Sequence, residues 1–218
     1  MSNVQRKPRQ ALSRERILDA AIRLADEGGI ESVSMRKVGQ ALGVEAMSLY
    51  NHVANKDDLL DGMVDLVTGE FELPDGGDWE DDVRRCAVSA HDALLRHRWA
   101  ANLIVAPRGI QHGRLRYMNW IMRRLHEAGF SPELTYRGYH ALDSHILGFT
   151  LWQLGHAMPA AADDDLIANI LREFPYDEYP YVGEHIRQHL ADESPDASVS
   201  EFEFGLDLVL AGFNRLRA

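Results

Sequence analysis

The sequence predicts an all-α protein with two parts, an N-terminal three-helix domain and a larger C-terminal helical domain. Apolar residues recur at three- and four-residue spacing in successive stretches of the 218-residue chain, which is the period of one face of an α-helix. Capping residues and glycines stand at the ends of these stretches. Beyond residue 78, no stretch shows the alternation of β-branched residues that predicts strands.

Three short helices are predicted near the N-terminus. The first runs from Ser13 to Glu27 and ends at Gly28-Gly29, and the second begins after Ser34, a favoured N-cap residue. Gly43 ends the second helix, because a sharp turn needs left-handed backbone, which glycine adopts without steric cost. A third helix follows, and its apolar residues are expected to pack inward: Val44, Leu49 and Val53.

The other residues of the third helix are expected on its outer face and at its N-terminal end. Side chains of these kinds can reach DNA bases and phosphates: Ala46, Met47, Ser48, Tyr50, Asn51 and His52. A fourth helix is predicted from about residue 56, since Asn55 is an N-cap residue and Asp57 and Asp58 complement the positive end of a helix. Two helices joined by such a tight turn are typical of a helix-turn-helix.

Residues 10 to 65 resemble the DNA-binding domain of the tetracycline-repressor (TetR) family. The matching positions are Ile17-Leu18-Asp19-Ala20-Ala21, Gly28, Ser34-Met35-Arg36-Lys37-Val38, Leu42-Gly43-Val44, Leu49-Tyr50, His52-Val53, Asn55-Lys56 and Leu59-Leu60. The resemblance implies nine DNA-contacting residues: Arg36, Lys37, Ala46, Met47, Ser48, Tyr50, Asn51, His52 and Lys56. Ala46, Met47 and Asn51 differ from the tetracycline repressor, so we expect a different operator.

The resemblance also implies roles for several of these residues. Arg36 can donate two hydrogen bonds to a guanine, while Tyr50 and His52 would hold the DNA backbone. Lys56 would bind a phosphate, and Ser48 keeps the hydroxyl of a family threonine. Two alternatives stay open: Tyr50 can pack between helices, and Lys56 can be a solvated neighbour of the helix cap.

Charge is divided unevenly along the chain. The net charge is −11, yet residues 1 to 60 carry nine Lys and Arg against eight Asp and Glu, so the acidic excess lies in residues 61 to 218. The first 16 residues have a net charge of +4. Residues 1 to 12 are therefore predicted to be a basic arm that contacts phosphates or enters a minor groove, or else a disordered soluble tail.

Residues 13 to 60 are predicted to form the helix-turn-helix domain and residues 61 to 218 an effector-binding and dimerisation domain. The fourth helix, to about residue 70, connects the two, and a turn cluster follows at Leu73 to Asp78. Further helices are predicted at Trp79 to Arg98, Arg114 to Ala128, Pro132 to Met158, Asp163 to Glu173, Val182 to Ala191 and Ser200 to Leu216.

Two of these helices, at residues 132 to 158 and 200 to 216, are more apolar than the surface of a monomer tolerates. In TetR-like proteins the corresponding helices of two subunits form a four-helix bundle. The resemblance thus implies a homodimer that places two recognition helices on a near-palindromic operator of double-stranded DNA. The alternative is that both helices pack inside one subunit.

Shorter segments resemble the effector-binding domain of the tetracycline repressor, and they imply a pocket for a small-molecule effector: Leu94-Leu95, His97-Arg98, Gly129-Phe130-Ser131, Gly148-Phe149-Thr150-Leu151 and Gly155. Cys86, Ala90 and Ile104 stand where a tetracycline–magnesium complex would need an amide, an aromatic ring and a histidine, so we expect another effector. The candidate pocket residues are Trp99, Arg108, Tyr117, Trp120, Ile121, Tyr139, His140 and Asp143. Aromatic residues at helical spacing can also be ordinary core.

Ten histidines raise the question of a metal site. His185 and His189 lie four residues apart with Asp192 just beyond, and His140 and His145 lie five apart. No Cys or Glu completes either pair in a recognisable motif. We therefore expect surface or core histidines, with no metal and no cofactor.

Enzymes and membrane proteins find no support in the sequence. Ser89, His91 and Asp92 lack the setting of a catalytic nucleophile, and no apolar run approaches the roughly 18 residues of a membrane span. With no apolar signal segment at the N-terminus, a cytoplasmic location is expected.

The leading hypothesis is a homodimeric repressor released by a small-molecule effector. The alternatives are an activator or dual regulator, or a ligand-binding protein whose helix-turn-helix no longer binds DNA.

Overall fold

A computed structural model describes residues 11–106, 109–156, 168, 171–191 and 200–217. Within these ranges the chain is helical and forms no strand, so the predicted all-α fold is confirmed. The helices, numbered in chain order, are α1 Arg14–Gly28, α2 Met35–Leu42, α3 Ala46–Leu49, α4 Lys56–Gly69, α5 Trp79–Arg96, α6 Ala100–Val105, α7 His112–Glu127, α8 Pro132–His156, α9 Pro180–Ala191 and α10 Glu201–Arg217. No helix in the described ranges is long and apolar enough to cross a membrane.

The starts of α1, α2 and α4 are capped by side chains, as the sequence predicts. The Ser13 hydroxyl accepts a hydrogen bond from the Arg16 backbone amide at 3.3 Å. Ser34 accepts one from the Lys37 amide at 3.3 Å, and Asn55 accepts one from the Asp58 amide at 2.9 Å. Each cap satisfies an amide that has no carbonyl partner within its own helix.

Two glycines shape the turn between α2 and α3. Gly43 has φ +68° in the left-handed region, which confirms its predicted role. At Gly39, an added Cβ would lie 2.9 Å from the Val44 carbonyl oxygen and 3.2 Å from the Ala46 nitrogen. Only a residue without a side chain fits there, so α3 can approach the backbone of α2 closely. We define α1 to α3 as the head.

Helix α4 connects the head to the C-terminal domain. It packs against α1 on one side and against α5, α6 and α7 on the other. Half of its residues are buried: Leu59, Leu60, Gly62, Met63, Val64, Val67 and Thr68. The C-terminal domain continues from it, with α8 packed against α5, α6, α7 and α10.

The segment between α5 and α7 differs from the sequence expectation. A helix was predicted to continue to Arg98, but α5 ends at Arg96 and the separate short helix α6 follows, which the sequence did not predict. His97 leaves the helical conformation with φ −109° and ψ 63°. Its ring and the ring of Trp99 then reach carboxylates on α1 and at the end of α4. Arg108, residues 1 to 10 of the predicted basic arm and most of the helix predicted at 163 to 173 lie outside the described residues.

Replacing Gly43 with alanine tests the left-handed turn. Left-handed backbone costs a residue with a Cβ about 1–2 kcal/mol, so Gly43→Ala is expected to lower the free energy of unfolding by about that amount. Urea denaturation followed by circular dichroism, at one protein concentration, measures it. Gly69→Ala is the control, because its Cβ would meet only the end of Arg116, at 3.7 Å. Equal effects of the two substitutions would contradict this account of the turn.

Candidate DNA-binding surface and internal cavity

The nine predicted DNA-contacting residues all reach the surface of the protein. Six are exposed, namely Arg36, Lys37, Met47, Tyr50, Asn51 and Lys56, and three are half-buried, namely Ala46, Ser48 and His52. Met47 is 74% exposed, whereas Leu49, two residues later, is fully buried against the other helices. Helix α3 therefore has one packed side and one solvent-facing side. Which of the nine contact DNA stays a prediction.

Arg14 connects the turn after α3 to the start of α4. Its guanidinium donates to both carboxylate oxygens of Asp58, at 2.6 and 2.9 Å, and to the His52 carbonyl at 3.2 Å. Asp58 also accepts the Ala54 amide at 2.7 Å. The hydrogen bond from Arg14 is the largest cause that lowers the pKa of Asp58 below its usual value. Arg14 belongs to the basic excess of the N-terminal residues, and in the structure it is paired with Asp58 of α4.

A second polar network joins the head to the C-terminal domain. Asp26 of α1 accepts a hydrogen bond from the Trp99 indole at 2.7 Å, and it lies 2.9 Å from His97 Nδ1. Glu70, directly after α4, lies 3.2 Å from His97 Nε2 and accepts from Arg96 at 2.7 Å. The structure places Trp99, a candidate pocket residue, at this junction.

The start of α7 lies directly on α4. The Gly113 amide donates to Asp65 at 2.8 Å, and the Gln111 amide group donates to Asp61 at 3.1 Å. A Cβ at Gly113 would lie 2.8 Å from the Asp65 carbonyl oxygen and would also collide with the Thr68 hydroxyl. Glycine is therefore required for this contact, and there is no free space between the two helices here.

An internal cavity lies between α4, α5, α6, α7 and α8. It is lined by Thr68, Phe71, Leu94, Ile104, Arg114, Tyr117, Asp143, Ile146 and Leu147. Its volume of about 10 Å³ is near the minimum for one water molecule. Sites for small molecules usually measure about 300–1,000 Å³, so this cavity would have to enlarge before it could hold one.

The polar groups of the cavity are concentrated on α7 and α8. Arg114 donates to Asp143 at 3.1 Å. The Tyr117 hydroxyl is buried and has no hydrogen-bond partner within the described part of the chain. Burial, and then the charge of Asp143, raises the pKa of Tyr117 well above its usual value. The same two causes raise the pKa of Tyr139 to about 12. Both phenols therefore stay protonated near neutral pH.

The structure brings together only part of the predicted pocket. Tyr117 and Asp143 line the cavity. The Trp120 indole donates instead to the Pro74 carbonyl at 3.0 Å, Ile121 is buried elsewhere in the core, and His140 is exposed. These residues remain predictions as ligand contacts. The sequence reasoning missed Thr68, Phe71 and Arg114 as lining residues, because no local pattern shows which helix faces meet.

The predicted histidine pairs contribute to no metal centre that can be described. Among the residues that the structure describes, no group of three or more His, Cys, Asp or Glu could hold an ion. His145 Nε2 donates to the Phe202 carbonyl at 2.9 Å, so it takes part in helix packing. His185 is exposed, and the side chain of His189 lies outside the described residues. Cys86 is a free, buried thiol.

Comparison with protein families identifies the chain. Residues 17–63 match the model described as bacterial regulatory proteins of the tetR family. Residues 72–217 match the model of the tetracyclin repressor-like C-terminal domain. The chain belongs to the TetR family. The helix-turn-helix head is thereby confirmed, and the protein is a DNA-binding transcription regulator.

Individual relatives are similar over most of the chain. The class D tetracycline repressor of Escherichia coli is 34% identical over 171 residues, covering 74% of this chain and 78% of that protein. A transcriptional regulator of Saccharopolyspora erythraea is 33% identical over 146 residues, which span 62% of its length and 66% of this chain. The structure of the TetR-family protein ActR of Streptomyces coelicolor with actinorhodin has a TM-score of 0.71 and 29% identity, covering 96% of this chain and all of ActR.

The Arg14–Asp58 pair predicts a specific pH dependence. A carboxyl whose pKa is lower in the folded state stabilises the fold above its unfolded pKa, and it loses that contribution as the pH falls through the folded pKa. The reference pKa of Asp58 in the unfolded chain is 3.8. We expect wild type to melt at a higher temperature than Asp58→Asn at about pH 6, and the gap to shrink below about pH 4.

Thermal unfolding between about pH 6 and pH 3 measures this gap. Asp92→Asn, at an exposed position of α5, is the control for loss of one carboxylate. A gap for Asp58→Asn that stays constant over the whole range would show that the ionised carboxylate does not stabilise the head.

Proposed function

We propose that the protein is a homodimeric repressor that binds a near-palindromic operator through α3 and leaves it when a small molecule enters the internal cavity. The observation that carries the proposal is the continuity of α4, which starts beside the solvent-facing helix α3 and ends at the cavity wall. Relatives whose names describe repressors, and ActR in complex with actinorhodin, support it. The protein would work in the cytoplasm, with its DNA target, and would catalyse no reaction.

Exposed apolar residues on α8 and α10 support the dimer. Phe204 and Leu208 on α10 are each 62% exposed, and Trp152 on α8 is 47% exposed. Helices α8 and α10 pack against each other within the subunit, and we expect these side chains to share one surface. A second copy of the chain would bury it in a four-helix arrangement and place two heads on one face of the DNA.

The residues of the head divide into two groups by the contacts proposed for them. Arg36 on α2, Met47 on α3 and Asn51 in the turn after α3 would read base edges in the major groove. Lys56 and Tyr50 would hold phosphates and set the register of the head on the duplex. The acidic C-terminal domain would be repelled by the duplex, so only the head would stay close to DNA.

Release from the operator would follow when a ligand enlarges the cavity. Thr68, near the end of α4, and Phe71, just beyond it, form part of the wall. A ligand that enlarges the cavity must displace at least one of the five helices around it, and a shift of α7 would be passed to α4 because the contact at Gly113 leaves no space between these two helices. Since Asp58 at the start of α4 is bonded to Arg14, a shift of α4 also moves the head. A coupling of about 1–3 kcal/mol is typical of such systems.

Two substitutions test the proposed division of the DNA contacts. Lys56→Ala is expected to weaken binding to all DNA sequences and to reduce the salt slope by about one unit, because it removes a phosphate contact. Arg36→Ala is expected to relax the preference at one base pair per half-site, at a cost of about 1–3 kcal/mol. Fluorescence anisotropy over a salt series, with specific and random duplexes, measures both.

Arg137→Ala is the control, because Arg137 is an exposed cation of the C-terminal domain. It should change neither the salt slope nor the base preference. Equal losses on all sequences for Lys56→Ala and Arg36→Ala would refute the division. Absence of salt-dependent DNA binding by the wild type would refute the proposed function itself.

A further inference from the structure

The cavity has an apolar wall with a small number of polar groups, and these groups are not equally satisfied. Arg114 and Asp143 form an ion pair that is mostly buried. Tyr117 is only 3% exposed, and its hydroxyl has no hydrogen-bond partner among the described residues. The rest of the wall is apolar except for Thr68, whose hydroxyl already donates to the Val64 carbonyl at 2.9 Å.

The unpartnered hydroxyl of Tyr117 points to a ligand. A buried polar group without a hydrogen bond is costly and rare in folded proteins. Because Tyr117 lines the cavity, a ligand that enlarges the cavity can supply the missing partner. The hydroxyl is a donor at neutral pH, since burial raises its pKa. The phenol oxygen can also accept a hydrogen bond, but only an acceptor oxygen or nitrogen of the ligand gives its O–H donor a partner.

The ion pair decides the charge of the ligand. Arg114 and Asp143 balance each other, and no other ion pair of either residue is found in the described ranges. An anionic ligand would bind Arg114 and leave Asp143 as a buried, unpaired carboxylate. A cationic ligand would bind Asp143 and leave Arg114 as a buried, unpaired cation. Either outcome is strongly unfavourable in a poorly hydrated site, whereas an uncharged ligand leaves the pair intact.

We propose that the effector is an uncharged, largely apolar molecule whose hydrogen-bond acceptor is recognised by the hydroxyl of Tyr117. This inference rests on the proposed function, because it names the ligand class of the cavity that governs release. The Arg114–Asp143 pair is the charge-selective element. Tyr117 is the contact that distinguishes a ligand with an acceptor from a plain hydrocarbon.

Four probes built on the same naphthalene ring system separate the effect of ligand charge from the effect of a hydrogen-bond acceptor. They are 2-acetylnaphthalene, an uncharged acceptor; 2-ethylnaphthalene, which has no acceptor; 2-naphthoate, an anion; and 1-(2-naphthyl)ethylammonium, a cation. Calorimetric titration of the full-length protein at neutral pH measures each affinity. We expect 2-acetylnaphthalene to bind at least about tenfold more tightly than each of the other three.

Two variants connect the preference to named atoms. Tyr117→Phe is expected to lower the affinity for 2-acetylnaphthalene about tenfold, to the level of 2-ethylnaphthalene. Asp143→Asn leaves Arg114 as an unbalanced cation, so the preferred probe should become 2-naphthoate. Tyr136→Phe is the matched control, because Tyr136 is a 63% exposed tyrosine on α8, and its preferences should equal those of the wild type.

Several results would overturn the inference. They are tighter binding of a charged probe by the wild type, an unchanged preference in both cavity variants, or no binding of any of the four probes. Operator binding measured without probes distinguishes these results from a failure of the proposed function. A protein that binds DNA but prefers 2-naphthoate would remain a regulator with a different class of effector.

Discussion

Helix α4 packs against the head through α1 and against the C-terminal domain through α5, α6 and α7. Its buried residues extend from Leu59 to Thr68. Close-packed interiors leave no free volume for such a helix to slide alone. We propose that a change at one end of α4 is accommodated at the other, which would link the cavity to the DNA-binding surface.

Polar contacts connect both ends of α4 with the head. At its start, Arg14 and Asp58 join α1, the end of α3 and α4. At its end, Glu70 approaches His97, which also contacts Asp26 of α1. Both networks are partly exposed, so their individual contribution to stability is modest. Their effect is to fix the orientation of the head relative to the C-terminal domain.

Local sequence predicts those features whose causes are local. Ser34, Gly43 and Asn55 act on residues within four positions, through a cap or a left-handed turn, and each acts in the structure as predicted. Arg14 and Asp58 are 44 residues apart, and Arg114 and Asp143 are 29 apart. Such pairs form where two helices cross, and the hydrophobic periodicity of a sequence does not show which helices cross. The caps and the turn of the head were therefore predictable, whereas the Arg14–Asp58 pair and the end of α3 at Leu49 were not. Of the predicted pocket residues, only Tyr117 and Asp143 line the cavity.

Overfilling the cavity tests the link between cavity and head without knowledge of the effector. Ile104 lies on α6 in the cavity wall, and extra volume in a packed core costs about 1–3 kcal/mol in strain. The measurement is the affinity of Ile104→Phe for an operator selected with the wild type, with Ile110→Phe, at a 71% exposed position, as control. The account predicts that Ile104→Phe keeps its helix content and binds the operator about tenfold more weakly or worse. Operator affinity equal to that of the wild type and the control would contradict it.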